Sequence, residues 1–334
     1  MQELEVGHVQ SESRFGAASD KGRRSHNEDY CAVRDYSARR RPKYLGFMAI
    51  ADGMGGHRSG EVASSTAVRL LEQHMNPTVF EGPADFEERA ESVLWNAFSA
   101  ANSHIHDLGA ANPELEGMGT TLTCAAIGFD DAYIAHVGDT RAYHVSPSGI
   151  TQVTEDHSVT GKMVAEGILT ESQARTHARR NVLTRAVGPE ISVEIDILKI
   201  RVERGDVIFM CCDGLHSTVT AGDIYQVIGS EPDLQAACRT LVDMAIERGS
   251  DDNVSAVAWR KPSKEAPGRA RRAGAARSRP ASRPVPLWAK ALLVLLTLCV
   301  GFAAGWGLGA LFMGNDRAKR TPPDSRGGPA EGSS

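Results

Sequence analysis

Four acidic positions stand where apolar runs stop. LGFMAIA delivers Asp52-Gly53, YIAHV delivers Gly138-Asp139, VIFMCC delivers Asp213-Gly214, and VSAVAW is preceded by Asp251-Asp252-Asn253. A strand fixes its end residue rigidly, so several strands ending at one edge bring their carboxylates together. Clustered carboxylates repel unless a cation neutralises them, and an oxygen-only ligand set suits magnesium or manganese. Glycine beside an aspartate permits a tight turn and leaves a carbonyl free as a further ligand. Taken singly, each Asp-Gly reads first as a turn between strands. Four of them against apolar runs point to a divalent-metal site, and spacing alone goes no further.

Those positions need strands to hold them. Period and composition predict strands over Tyr44–Ala51, Thr120–Ile127, Ala132–Val137, Ala142–Val145, Ile191–Ile200, Val207–Cys212 and Val254–Trp259. Amphipathic helices are predicted over Glu61–Met75, Asp85–His106 and Leu234–Glu247. The second puts Phe86, Ala90, Val93, Leu94, Ala97, Ala101 and Ile105 on one face. Thr170 with Gln173 forms a capping-box pattern opening a short helix. Strands come in groups and helices in pairs, which favours α+β layers over a doubly wound parallel sheet.

The 334 residues, 41% hydrophobic and 24% charged, are those of an ordinary globular protein with enough length for a large core. The net charge of -5 hides an asymmetry, because Lys261 to Lys290 is almost purely basic. No C-x-x-C pair occurs among the six cysteines, which read as reduced core residues of a cytosolic domain. The polar lead, residues 1–14, lacks the apolar region of a signal peptide. Residues 15–260 are globular in character, whereas 261–286 form a Pro/Arg/Ala/Ser linker without apolar periodicity. Ala291 to Met313 then runs without a charge, long enough for a spanning helix within 287–313. Seven basic residues from Arg269 to Lys290 precede it and only Arg317, Lys319 and Arg320 follow. The positive-inside rule therefore expects a single-pass membrane protein, its large domain cytoplasmic and the tail 314–334 outside. Gly301, Gly305 and Gly309 would share one helix face and permit a helix-mediated dimer.

The order of motifs resembles the protein phosphatase 2C (PPM) family, particularly its bacterial members, over nearly all of residues 15–260. SDKGRRSHNEDY places Arg24 four residues before the acidic pair Glu28-Asp29. ADGMGGHRSGEVAS is the most specific match, followed by GMGTTLTCA, HVGDTRAY, TEDHS, RRNVLTRAVG, GDVIFMCCDGL and DDNVSAV. Any one motif is weak; together and in the family's order they are a strong signal.

The resemblance implies an αββα sandwich, two antiparallel sheets face to face under helical layers, with a metal cleft at one edge. It implies that Asp52 bridges two ions, that Asp213 and Asp252 complete the first ion's shell, and that Glu28 and the Gly53 carbonyl serve the second. Asp29 then sits behind the ligands, Asn253 orients its neighbours, and Asp139 shares a third, weaker ion with Asp213. Two or three manganese or magnesium ions are the implied cofactors. Two cations about 4 Å apart lower the pKa of a bridging water, whose hydroxide attacks phosphorus in line without a phosphoenzyme. Arg24 clamps the phosphate oxygens. The implied activity is hydrolysis of phosphoserine and phosphothreonine on proteins that a Ser/Thr kinase has modified.

Two positions depart from eukaryotic members. The residue after Asp52-Gly53 is Met54 where those often carry histidine, and His57 is read as local structure, so the leaving-group acid has no named residue. The segment from Asp156 to Gly188 resembles the family's flap, and its His177, Arg179, Arg180 and Arg185 contact substrate or simply form an exposed helix and loop. A membrane-tethered pseudophosphatase that binds phosphoproteins without turnover is the alternative. Against it, Glu28, Asp52, Asp213 and Asp252 are all present. A two-metal nuclease fits less well, because the globular region has no basic stripe with interleaved aromatics for nucleic acid.

Overall fold

A computed structural model of the chain describes residues 14–55 and 58–262. The chain falls into two units, Met1–Gly268 and Arg269–Ser334, and the described residues belong to the first. The apolar run at 291–313, the basic linker beyond 262, the tail, the glycine-spaced face and His57 lie outside the described residues. Among those described, no helix is long and apolar enough to cross a membrane.

Two antiparallel sheets form the centre. Numbered in chain order, the first contains β1 (Phe15–Asp20), β7 (Arg141–Ser146), β8 (Gly149–Gln152), β10 (Val207–Cys211) and β11 (Val254–Arg260), in the spatial order β1-β11-β10-β7-β8. The second contains β2 (Asp29–Asp35), β3 (Gly46–Met54), β5 (Leu122–Ile127), β6 (Asp131–Val137) and β9 (Asp196–Arg201), with the short β4 (Gly119–Thr120) paired to the end of β3. Helices α1 (Arg58–His74) and α2 (Pro83–Ala111) cover the second sheet. Helices α6 (Ala221–Ser230) and α7 (Leu234–Glu247) cover the first, after a single turn α5 (Asp213–His216).

Side-chain alternation builds the layers. On β3, Met48 and Ile50 face the opposite sheet while Phe47, Ala49 and Ala51 face α1 and α2. On β10, Ile208 and Met210 point between the sheets while Val207, Phe209 and Cys211 meet α6 and α7. Both faces of these strands are buried, which is why they read as unbroken apolar runs rather than as alternating ones. Trp259 closes the inter-sheet core. Cys31, Cys124, Cys211, Cys212 and Cys238 are all buried free thiols.

The elements differ from expectation in three ways. β1, β2, β8, α5, α6 and the helix at Val159–Ala165 have no counterpart among the predicted elements; β1 and β2 are edge strands in which small and charged residues outnumber Phe15, Tyr30 and Val33, so that pairing more than composition makes them strands. Ile191 to Ile195 is not strand, and β9 begins only at Asp196, where pairing with His136 starts. The predicted box at Thr170 and Gln173 is present and opens α4 (Glu171–Arg175), with α3 (Val159–Ala165) before it in the flap.

Candidate metal centre and active-site cleft

β3 carries Asp52 to the edge where the sheets meet. Asp52 N–H donates to Thr121 Oγ1 at 2.9 Å, and its carbonyl accepts from Thr121 N–H at 2.9 Å and Thr120 Oγ1 at 2.8 Å. Glu28 comes just before β2, with its carbonyl bound by Gly53 N–H at 3.1 Å and Ser64 Oγ at 2.6 Å. Its carboxylate packs against the first turn of α1: a Cβ on Gly60 would lie 2.7 Å from Glu28 Oε2 and 2.9 Å from the Gly53 carbonyl oxygen. Gly60 is therefore fixed by close approach, a reason invisible in local spacing.

Asn253 staples the two segments together. Its Oδ1 accepts from Glu28 N–H at 2.8 Å, and its Nδ2 donates to the carbonyls of Lys21 at 3.0 Å and His26 at 2.8 Å. Asp213 stands at the start of α5, directly after β10, and Asp252 in the turn before β11. Asp139 follows Gly138, whose φ of +116° makes the tight turn between β6 and β7. These elements converge on one cleft of about 410 Å³, lined among others by Arg24, Glu28, Asp52, Gly53, Asp139, Asp213, Asp252 and Asn253. Asp29 lies behind that wall, paired in register with Asp52.

Electrostatics mark the cleft. Burial, with repulsion from Asp213 and Asp252, pushes the Asp29 carboxyl up to about 7, against the pull of Ser255 and Cys212. Asp52 is raised well above the usual range by burial and then by Asp29, Asp213, Asp139 and Asp252. Asp139 is raised by burial and Asp213, and Asp213 goes up to about 6 by burial and Asp252. Both Asp29 carboxylate oxygens and Asp213 Oδ1 are buried without a hydrogen-bond donor of normal geometry. Four carboxylates that raise one another, with orphaned oxygens among them, fit a cation. An all-oxygen set fits a hard divalent one.

Arg24 is placed on the rim, where its Nη2 meets Asp252 Oδ2 at 2.7 Å and its Nε donates to the Asp251 carbonyl at 3.0 Å. The flap residues divide. Arg180 reaches Asp251 at 3.7 Å beside a second cavity of about 350 Å³ that shares Asp139, Asp213 and Asp252 with the first. Arg185 turns away to Asp196 and Glu194 at 2.8 and 2.9 Å and anchors the flap. His177 and Arg179 line neither cavity. Asn181 and Leu183, which sequence reasoning passed over, line the cleft from the flap. So does His26, inside a motif that drew notice only for Arg24 and Glu28. Thr121 was missed as well; its hydroxyl meets Thr140 Oγ1 at 2.7 Å and ties the end of β3 to the Asp139 turn.

The protein phosphatase 2C family profile matches residues 18–255, the span that carries every one of these groups. The chain belongs to the protein phosphatase 2C family. It is 33% identical over 240 residues to the serine/threonine phosphatase stp of Listeria innocua, covering 72% of this chain and 92% of that one. The serine/threonine protein phosphatase PstP of Mycobacterium tuberculosis is 32% identical over 248 residues, covering 73% of this chain and 44% of the relative. A crystal structure of the PstP catalytic domain with two manganese ions superposes with a TM-score of 0.62 at 30% identity, over 75% of this chain and 98% of the other. The two-sheet sandwich with its helices is the fold of these phosphatases, and the chain is a protein serine/threonine phosphatase.

Proposed function

We propose that this phosphatase removes phosphate from phosphoserine and phosphothreonine in proteins with the help of divalent ions, manganese or magnesium, held in the 410 Å³ cleft. Glu28, Asp52, the Gly53 carbonyl, Asp213 and Asp252 hold two ions, and Asp139 with Asp213 a third. Ions bound there would supply charge neutralisation for the phosphoryl oxygens and an acidified water as nucleophile, with no phosphoenzyme required. Asp52, whose carboxyl is raised by Asp29, Asp213, Asp139 and Asp252 alike, would serve both ions. Asp29 supports it from behind, and Asn253 keeps Glu28 and the Arg24 loop in register through its three hydrogen bonds. Arg24 presents its planar fork to phosphate oxygens, which compete with Asp252 for the same guanidinium.

The observation that carries the reading is the convergence of Asp52, Asp139, Asp213 and Asp252 on one cleft, with Asp213 Oδ1 and, behind the wall, both Asp29 oxygens buried without a donor. Phosphate release from a phosphothreonine peptide by the full-length chain, with manganese, with chelator and in Asp52→Asn, tests it. Release that persists in chelator or in the variant overturns the metal reading.

The setting we propose is the cytoplasmic face of a membrane, with residues 15–260 catalytic, 261–286 a basic linker, 287–313 a spanning helix and 314–334 an outer tail. The charge-free run Ala291–Met313 and the basic excess before it support this. Protease treatment of right-side-out vesicles tests it: the catalytic domain should be protected and an epitope on the tail removed.

A further inference from the structure

The TEDHS motif contributes a histidine that the proposed chemistry leaves without a part. His157 is 6% exposed and opens the flap. Its Nδ1 accepts from Gly138 N–H at 3.1 Å, while its own backbone N–H donates to the Gly138 carbonyl at 2.7 Å. One residue therefore binds both polar backbone atoms of the residue that precedes Asp139. Because Nδ1 accepts from Gly138, the neutral ring carries its proton on Nε2, facing Asp196 Oδ2 at 3.1 Å; Arg185 Nη1, 3.2 Å from the same nitrogen, is then a close neighbour and not a hydrogen-bond donor to it. Arg185 Nη1 holds the other oxygen of Asp196 at 2.8 Å. On the far side of the turn, His216 Nε2 donates to the Asp139 carbonyl at 3.0 Å. The peptide group before the Asp139 Cα is thus tied to the His157 main-chain N–H and the one after it to the His216 imidazole, while the His157 imidazole holds the Gly138 N–H one peptide upstream.

The turn has no slack. A Cβ on Gly138 would come within 2.6 Å of the Thr121 side chain, so the direction of the Asp139 side chain follows from how Gly138 is held. His157 also closes the base of the flap, where its carbonyl accepts from Thr184 N–H at 2.8 Å and Ser158 bridges to Leu183. Leu183 lines the cleft.

We propose that His157 is a positioning residue for Asp139: through Gly138 it aims that carboxylate into the cleft and couples the aim to the base of the flap. The proposal rests on the reading of Asp139 as a ligand of the third, weaker ion. A group that orients a metal ligand is worth 10–100-fold in affinity, and here the loss falls on the weakest ion alone.

The test uses manganese binding to the full-length chain by calorimetry, with phosphopeptide hydrolysis as second readout, in His157→Ala, His157→Gln, His157→Asn and Asp139→Asn. Asparagine sets an amide oxygen near the place of Nδ1 and keeps the bond to Gly138; glutamine sets its amide near Nε2 and keeps only Asp196. Alanine and glutamine should weaken the weakest manganese site about 10-fold or more, raise the manganese needed for half-maximal rate in parallel, and leave the tighter sites unchanged. Asparagine should restore both to within about 3-fold. A histidine with a purely structural part would lower the melting temperature in all three variants without singling out one site, and that pattern overturns the proposal. Should His157→Ala fail to fold, the contrast between glutamine and asparagine decides alone. If Asp139→Asn weakens the weakest site and no His157 variant does, the positioning role is wrong while the ligand reading stands. If Asp139→Asn leaves all sites intact, the ligand reading fails and takes the proposal with it.

Discussion

Asp29 and Asp52 face each other as register partners across β2 and β3, and one atom from each lies within 4.8 Å of the other and of Cys212 Sγ. Two carboxylates so close, away from bulk water, cannot both be charged without cost. The arrangement holds repulsion that a cation relieves, so folding and metal binding are linked. Each part of the cleft then answers to a different perturbation.

Asp29→Asn should separate stability from chemistry. In chelator at pH 7 the variant should be more stable than wild type by on the order of 1–2 kcal/mol, because it removes one member of a repelling set. Saturating manganese should stabilise it less than wild type. Urea unfolding with and without metal reads both quantities, and a variant destabilised in chelator would contradict the repulsion argument.

Gly60→Ala should weaken metal binding with the fold intact. The added methyl would meet Glu28 Oε2 and the Gly53 carbonyl under 3 Å, displacing two of the proposed ligands of one ion. A loss of about 10-fold or more in manganese affinity is expected, read by calorimetry beside an unchanged far-ultraviolet dichroism spectrum.

Arg24→Ala should lower kcat/KM for a phosphopeptide by about 100-fold, mainly through KM if the fork binds ground-state phosphate. Arg24→Lys should recover little, since an ammonium does not reproduce the planar fork that meets Asp252 and Asp251. Steady-state kinetics at saturating manganese distinguishes this from an effect on metal affinity.

His136 gives a pH dependence whose sign is fixed. It is buried between Thr123 Oγ1 at 2.8 Å and the Glu155 carbonyl at 2.9 Å, and burial with the neighbouring His157 lowers it from 6.5 to about 4. A base depressed by folding contributes stability that is present above 6.5 and lost as pH falls toward its folded value. Between pH 7 and pH 4 wild type should lose roughly 2–3 kcal/mol more than His136→Gln. Urea titrations across that range, in chelator, check it; parallel curves would assign the acid sensitivity elsewhere.

Much of the site was legible in the residues themselves. Apolar runs that stop at Asp52 and Asp213, and one that starts just after Asp252-Asn253, read as strands because continuous hydrophobic segments of that length suit strands buried on both faces. The Thr170 box and the faces of α1, α2 and α7 follow from local hydrogen bonding and helical period. Local rules reached those elements because their causes are local.

Only the tertiary structure decided what lies across from what. In β1 and β2 the strand formers Phe15, Tyr30 and Val33 are outnumbered by small and charged residues, and their partners β11 and β3 make them strands. Gly60 is glycine because Glu28 and Gly53 arrive from elsewhere in the chain. Thr121, His157 and His216 join the cleft through hydrogen bonds to backbone atoms distant in sequence. Arg185, basic and within the flap, turns to Asp196 instead of the cleft. The sequence determined which carboxylates exist and which strands carry them. Their mutual repulsion, and the contacts that aim them, arise only when two sheets and a flap bring separate segments within a few ångströms, where low dielectric and steric exclusion act.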